Sequence, residues 1–368
     1  MRPSFMPQIL EIWNHLQRRL FPVLEEEIGP LTEKDRHFVE VISLVPLGPF
    51  LEPYRWSGIG CPPKERAWIV HALIAKAVYQ FPTTRALLEA LKARPNLRRL
   101  CGWESLQAIP SESTFSRAFA QFSADELLQK VHAAMIERHR SAKLVGHVSR
   151  DATAIDGREK PVAKAPPAPA PPKKRGRPAK GEVRAPAPPT RLEQQPQRSL
   201  IENLADLPKQ CAVGCKRNSK GHQETWIGYK LHLDTIDGDI PVSAILTSAA
   251  VHDSQVAIPL AQMTAQRVTS LYDLMDSAYD APAIHEFSRR LGHVPIIDPN
   301  PRRGQLVPLA PAEQVRFRER SAAERVNSQL QDNYGARFVR VRGAAKVMTH
   351  LMCGVIALTA TQLYHLII

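Results

Sequence analysis

Asp276 closes an apolar run, Leu271-Tyr272-Asp273-Leu274-Met275, and small, turn-prone residues follow it. A helical pattern then begins at Ala281. This order predicts a buried strand that delivers one carboxylate to its C-terminal edge, where ligands and metals gather in α/β sheets. Two distant stretches offer partners. Asp151 lies within the strand-like HVSRDATAIDG, and Glu324 lies on the helical pattern of RERSAAERVNSQLQ. Hard divalent cations prefer carboxylate oxygen, and a pair of them suits in-line displacement at phosphorus. Three carboxylates from three segments of a basic chain point to metal-dependent chemistry on nucleic acid.

The bulk numbers agree. The 368 residues carry 49 Lys+Arg against 36 Asp+Glu, a net charge of +13, with a pI near 9.7. That balance favours a polyanionic partner. Five cysteines (61, 101, 211, 215, 353) form no repeating spacing, and the start carries no secretory signal pattern, so a reducing, cytoplasmic setting is expected. Cys211-x3-Cys215 lacks a second Cys or His pair at finger spacing and reads as two thiols, not a zinc site. Residues 347–368 are long and apolar enough to span a bilayer. They contain His350, Gln362 and His365, and suit a buried helix, with no membrane partner.

The elements that must position the carboxylates follow from periodicity. Residues 1–142 read as an all-α N-terminal domain, with helices over 65–80 and over 83–93, the latter capped at Thr83 or Thr84. After Ile109-Pro110, a cap at Ser111 or Ser113 starts a helix with Phe115, Phe119 and Phe122 at i, i+4 and i+7. Arg117 lies off that stripe. A turn before a short capped helix is compatible with a helix-turn-helix in the major groove, and equally with a plain bundle.

From 143 to 368 the pattern alternates strands and helices. Residues 144–155 form the Asp151 strand. Residues 224–237 and 240–247 form a hairpin about Asp237-Gly238, with Trp226, Gly228, Lys230 and His232 on one face. Asp253 or Ser254 caps a helix over 255–267, and His252 either belongs to that turn or faces the site. A helix over 281–291, a strand over 293–297 and one charged helix over 312–331 complete the set. Arg320 and Glu324 are one turn apart on that helix, on the same side. Two acidic residues are decoys. Asp156 is an odd number of positions past Asp151 and faces the other side of the strand. Asp280 lies past the turn, at a helix N-cap.

A Pro/Ala/Lys-rich insert, residues 158–198, interrupts this domain. Ten of the chain's 32 prolines fall between 161 and 190, so the stretch cannot bury apolar surface. Residues 158–184 hold nine Lys/Arg and two Glu, a net +7. Arg175-Gly176-Arg177-Pro178, with Lys173 and Lys174 before it and Lys180 after it, resembles an AT-hook. The resemblance implies an extended peptide in the narrow, strongly negative minor groove of A·T-rich DNA. The plainer alternative is a basic linker that holds phosphates without sequence preference.

Strand with Asp151, hairpin, helix, strand ending in Asp276, helix with Glu324: this is the order of a ribonuclease-H-like mixed sheet flanked by helices. In this order the chain resembles the DDE transposases of bacterial insertion sequences. Ser149-Arg150-Asp151-Ala152-Thr153 is similar to the first-Asp motif, Trp226-Ile227-Gly228-Tyr229-Lys230-Leu231-His232 to the middle strand, and Val251-His252-Asp253-Ser254 to the His-Asp turn. Asp276-Ser277-Ala278-Tyr279-Asp280 is similar to the second-Asp motif. The third motif of one subgroup is Tyr-x2-Arg-x3-Glu-x6-Lys; this chain has Phe317-x2-Arg320-x3-Glu324-x6-Gln331. Arg and Glu match, while the Tyr hydroxyl and the Lys ammonium are lost.

The resemblance implies two Mg²⁺ or Mn²⁺ ions held by Asp151, Asp276 and Glu324, with Asp151 bridging them and Arg320 and His252 in support. It implies that water frees a transposon-end 3′-OH, which then attacks target DNA. It also implies DNA contacts by Arg117, Lys230 and the insert, a homodimer on paired ends, and a nucleoid-associated place in a bacterial cytoplasm. Two rivals remain: a catalytically inactive DNA-binding relative, and a nuclease of this fold without strand transfer.

Overall fold

The computed structural model describes residues 5–60, 62–140, 144–162, 188–217, 221–300 and 307–367. The AT-hook-like residues 173–180 lie outside them.

The sheet is organised around β1 (Leu144–Gly157). β2 (Ala212–Arg217), β3 (Gln223–Ile236) and β4 (Ile240–Ser248) follow it, then β5 (Thr269–Met275), β6 (Val294–Ile297) and the short β7 (Phe338–Val339). β1 pairs antiparallel with β3 and parallel with β5. β5 pairs parallel with β6, and β3 antiparallel with β4. The core order is therefore β4-β3-β1-β5-β6, the ribonuclease-H-like mixed sheet expected from the sequence. β2 extends it beside the first half of β3, a strand that the sequence pattern around Cys211 and Cys215 does not announce. β7 runs parallel to the last residues of β1.

β4 lies at the edge of that order yet is buried along its whole length, because the helices Ser254–Ala265, Leu127–Arg140 and Ala344–His365 pack against it. Cα register sets Arg150 against Asp234 and Asp151 against Leu233, so Arg150 and Asp151 point to opposite faces. On the Arg150 face lies the helix Ser254–Ala265, whose Thr264 hydroxyl donates to Asp234 Oδ2 at 2.6 Å. Arg150 is fully buried and donates twice to Asp234, each bond 2.8 Å long. A buried arginine is tolerated only with such a partner. On the Asp151 face lies the helix Ser321–Asn333. It is tied to alternate residues of β1: Asn327 Nδ2 donates to Asp151 Oδ2 at 3.0 Å, and Gln331 Nε2 to Thr153 Oγ1 at 2.6 Å.

β1 and β3 approach most closely at Gly228. Its φ is +153°, and a Cβ there would lie 2.1 Å from the Ile155 carbonyl oxygen. Only glycine fits that crossing.

The charged helix expected over 312–331 is broken. It forms Pro311–Phe317, a tight turn Arg318–Arg320, and then Ser321–Asn333. At the break the Ser149 hydroxyl of β1 donates to the Glu319 carbonyl at 3.2 Å. A carbonyl engaged from outside favours a tighter local turn over a continuous helix. Asp253 also departs from its expected role, because it stands at the helix start without a side-chain capping bond. The side chain of Asp280 does not cap either: it accepts from the Asn300 N–H at 2.9 Å and lies 3.0 Å from His285 Nε2.

Thr83 and Ser111 cap their helices as expected, each accepting from the N–H three residues on. The helical region is fused to the sheet. The terminal helix Ala344–His365 packs against Glu33–Ser43, Arg66–Val78, Glu112–Ala124, Leu127–Arg140 and β4. A single apolar core joins Phe38, Ile74 and Met135 to Val242 of β4 and Leu358 of the terminal helix. His132 Nε2 lies 3.1 Å from both the Pro241 carbonyl and Thr359 Oγ1 across that junction. The terminal helix is long and apolar enough to cross a membrane, and in this fold it forms the centre of that core.

Candidate active site

The parallel pairing of β1 with β5 sets Arg150 beside Met275. The next residue on each strand is an aspartate, so Asp151 and Asp276 arrive side by side at the C-terminal edge of β5. Asp276 ends the strand because its carboxylate accepts the Ala278 N–H at 2.9 Å and starts the turn Ser277–Tyr279. Asp151 is fixed from the other side by Asn327.

Burial pushes the Asp151 carboxyl up to about 6, and the charges of Asp276 and Asp253 add to the rise. Burial also raises Asp276, with Asp253 and Asp298 adding to it. Arg320 opposes both shifts. Asp253 thus belongs to this cluster. Its carboxylate lies 2.8 Å from Lys230 Nζ and 3.9 Å from the buried His232 Nδ1. Tyr279 is 1% exposed, and three neighbouring carboxylates, Asp253, Asp151 and Asp276, act on its phenol. Its hydroxyl, Asn327 Oδ1 and His232 Nδ1 have no hydrogen-bond partner among the described residues.

Glu324 takes a different position. It is exposed, and its carboxylate is bonded to Arg320, one turn back on the chain. Among the described residues no group of three or more His, Cys, Asp or Glu closes into a metal-holding cluster. The donor set nevertheless suits a hard cation. Asp151 and Asp276 are adjacent carboxylates with raised proton affinity, and neither has an ion-pair partner among the described residues. A divalent cation would relieve that repulsion. Arg320 acts on all three acids and stands as the positive charge of the site.

The other candidates fall elsewhere. His252 is exposed, with Nδ1 2.8 Å from the Ser254 hydroxyl. Lys230 is held at the edge of the site by Asp253 and by the Val251 carbonyl at 2.9 Å. Arg117 is exposed on Glu112–Ala124, 3.4 Å from the Thr114 hydroxyl. Lys173, Lys174, Arg175, Gly176, Arg177, Pro178 and Lys180 lie outside the described residues. Asp253 was expected as a helix cap within the His-Asp turn and Tyr279 only as part of the second-Asp motif, neither as a site residue, and Asn327 was not singled out. Asn327 had a readable signal, since it sits three residues past Glu324 on a helix. For Tyr279 the sequence carried none beyond its place after Asp276.

Residues 26–121 match the family described as Transposase domain (DUF772), and residues 190–360 match the Transposase DDE domain. No curated protein and no solved structure matches the chain.

Proposed function

The chain carries two transposase domains, and from that premise we propose that it cleaves the ends of an insertion sequence and joins them to target DNA with the help of divalent metal. The observation that carries this reading is the placement of Asp151 and Asp276 side by side by parallel strands, half-buried and without an ion-pair partner among the described residues. Asp151, Asp276 and Glu324 would hold two Mg²⁺ or Mn²⁺ ions. Bound there, such ions activate the attacking oxygen and stabilise the leaving one.

The chain's own groups do the rest. Asn327 orients Asp151, and the Ala278 N–H orients Asp276. Arg320 keeps Glu324 at the rim of the cluster. Lys230 holds the Asp253 carboxylate in place beside the two aspartates. Arg117 and the basic insert supply phosphate contacts, with the insert favouring A·T-rich minor grooves. Paired ends call for a homodimer, acting on the chromosome in the cytoplasm of a bacterium.

A second reading, a DNA-binding relative without catalysis, draws on one observation: Glu324 is bonded to Arg320. Cleavage of labelled DNA carrying the element's own ends, with Mg²⁺ or Mn²⁺, decides between them. Wild type should nick the end. Asp276→Asn should bind DNA equally and lose nicking by at least about 100-fold, the scale for removing one preorganised electrostatic group. Equal nicking by the variant would remove Asp276 from the site. Binding without cleavage by wild type would favour the second reading. Joining of a pre-cleaved 3′-OH end to target separates a transposase from a plain nuclease.

A further inference from the structure

A second charged feature lies away from the carboxylates. β7 pairs parallel with the end of β1, with Asp156 beside Phe338 and Gly157 beside Val339. The residue just past the end of each strand is an arginine, Arg158 and Arg340. Parallel neighbours are about 4.8 Å apart, so the register sets two like charges together at the sheet edge. Both open onto a groove of about 430 Å³, also lined by Arg342, Lys346 and Ser116. Its far wall is the helix Glu112–Ala124.

The charge balance of this groove is one-sided. Arg158, Arg340, Arg342 and Lys346 have no ion-pair partner among the described residues, and the three arginines are exposed. Glu112 is the acid that lines the groove, and it already lies 3.7 Å from Arg85. Glu159, next to Arg158, accepts from the Tyr229 hydroxyl and the Gly343 N–H, each at 2.7 Å. Beneath the floor a small cavity shares Leu73, Thr84, Phe119 and Val341 with the groove and reaches Lys76. Lys76 is 9% exposed, and its hydrogen-bond partner is His350, 3.4 Å away. Burial and the charge of Arg340, which lies 5.6 Å over the Phe338 ring, lower the proton affinity of Lys76, and an anion in the groove would relieve the repulsion among these cations.

We propose that this groove seats the phosphate backbone of duplex DNA, roughly seven base pairs from the phosphodiester held at Asp151 and Asp276. The distance follows from β1 itself. Asp151 lies on β1 and Arg158 is the residue just past its end, seven positions on, about 23 Å at about 3.3 Å per residue, and successive phosphates on a DNA strand advance about 3.4 Å. The arginines and the Ser116 hydroxyl are donors of the kind that fix DNA register without reading sequence. The occupant's identity rests on the transposase reading. The surplus of positive charge does not.

The test is a salt titration of duplex binding by fluorescence anisotropy, without divalent metal, on the full chain. Each phosphate contact contributes about 0.9 to the slope of log affinity against log salt. Arg340→Ala/Arg342→Ala should flatten that slope by about 2 and weaken A·T-rich and G·C-rich duplexes alike. Arg158→Gln/Lys346→Gln should repeat the effect. With duplexes ending fewer than about seven base pairs from the cleavage site, both variants should bind like wild type. An unchanged slope in both variants overturns the groove. So does an equal flattening by Arg289→Ala/Arg290→Ala, which removes the same charge elsewhere. Displacement of the duplex by inorganic phosphate at matched ionic strength would mark a small-anion site and overturn it too. If wild type binds no duplex, the transposase reading fails and the groove's occupant with it. Wild-type cleavage with unaltered binding by the variants removes the groove alone.

Discussion

At the scale of single residues, the acids that make the site also destabilise the fold. Burial, reinforced by Asp276 and Asp253, lifts the Asp151 carboxyl from its ordinary 3.8 up to about 6. A carboxyl raised in this way binds its proton more tightly folded than unfolded. The folded state therefore loses stability as pH rises from about 4 to about 6, and stays weaker above that. At about 1.36 kcal/mol per pKa unit the loss is about 1–3 kcal/mol, the lower end allowing for solvent that still reaches the side chain. Asp151→Asn removes the titrating group and keeps an acceptor for Asn327. The variant should melt a few degrees above wild type at pH 8, with the gap closing towards pH 4, while nicking is lost. Added Mg²⁺ should raise the melting temperature of wild type and leave the variant unmoved, because only a site that binds the ion gains from it. Coincident melting of the two proteins from pH 4 to pH 8 would show that burial does not raise the Asp151 carboxyl.

At the scale of elements, the question is what holds the Glu324 helix in register with β1. Asn327 and Gln331 tie its inner face. The end of the helix is set by Gly354 of the terminal helix, where a Cβ would lie 2.9 Å from Tyr334 Cβ and 3.1 Å from its carbonyl. Gly→Ala within a helix gains about 1 kcal/mol of propensity, whereas overpacking a filled core costs about 1–3 kcal/mol. The contact involves backbone and a Cβ, which cannot swing aside, so the clash wins. Gly354→Ala should lower the urea midpoint, and Gly354→Val should lower it further; a raised midpoint for Gly354→Ala would show that Tyr334 yields. The same elements show what a sequence can disclose. The Asp276 strand was legible because an apolar run ending in a carboxylate and a turn has few other meanings. The β3–β4 hairpin was legible from alternation and Asp237-Gly238. The break at Arg318–Arg320 was not, because its cause is the Ser149 hydroxyl, some 170 positions away. Asp253 was hidden for a like reason: as a residue at a helix start it reads as a cap, and only the fold brings Lys230 to it. The Arg320–Glu324 spacing was legible as a one-turn pair, but that the Glu324 carboxylate stays exposed beside Arg320 and does not join the two aspartates depends on side-chain geometry that spacing does not specify.

At the scale of the whole molecule, the terminal helix decides how the chain behaves as a unit. A strand-and-helix pattern beginning near residue 143 suggests a catalytic part that could stand alone, but the packing argues otherwise. Ala344–His365 is buried between the N-terminal helices and β4, and the core passes through it without interruption. His132, His37 and Ser43 of the N-terminal part reach Thr359, Thr361 and Tyr364 on that helix. Removing residues 1–142 would bare one side of a 22-residue apolar helix, a far larger apolar patch than soluble monomers leave exposed. The fragment 143–368 should therefore aggregate or melt without a cooperative transition, and the full chain should unfold in one calorimetric step with both parts lost together. Coupling of this kind also bears on function. The groove proposed for DNA has one wall on Glu112–Ala124 and the other on the segment after β7, so a rigid shared core fixes its distance from Asp151. Two separate calorimetric transitions, or a soluble, cooperatively folded 143–368 fragment, would show that the two parts move independently and that the groove's distance from the carboxylates is not set by the fold.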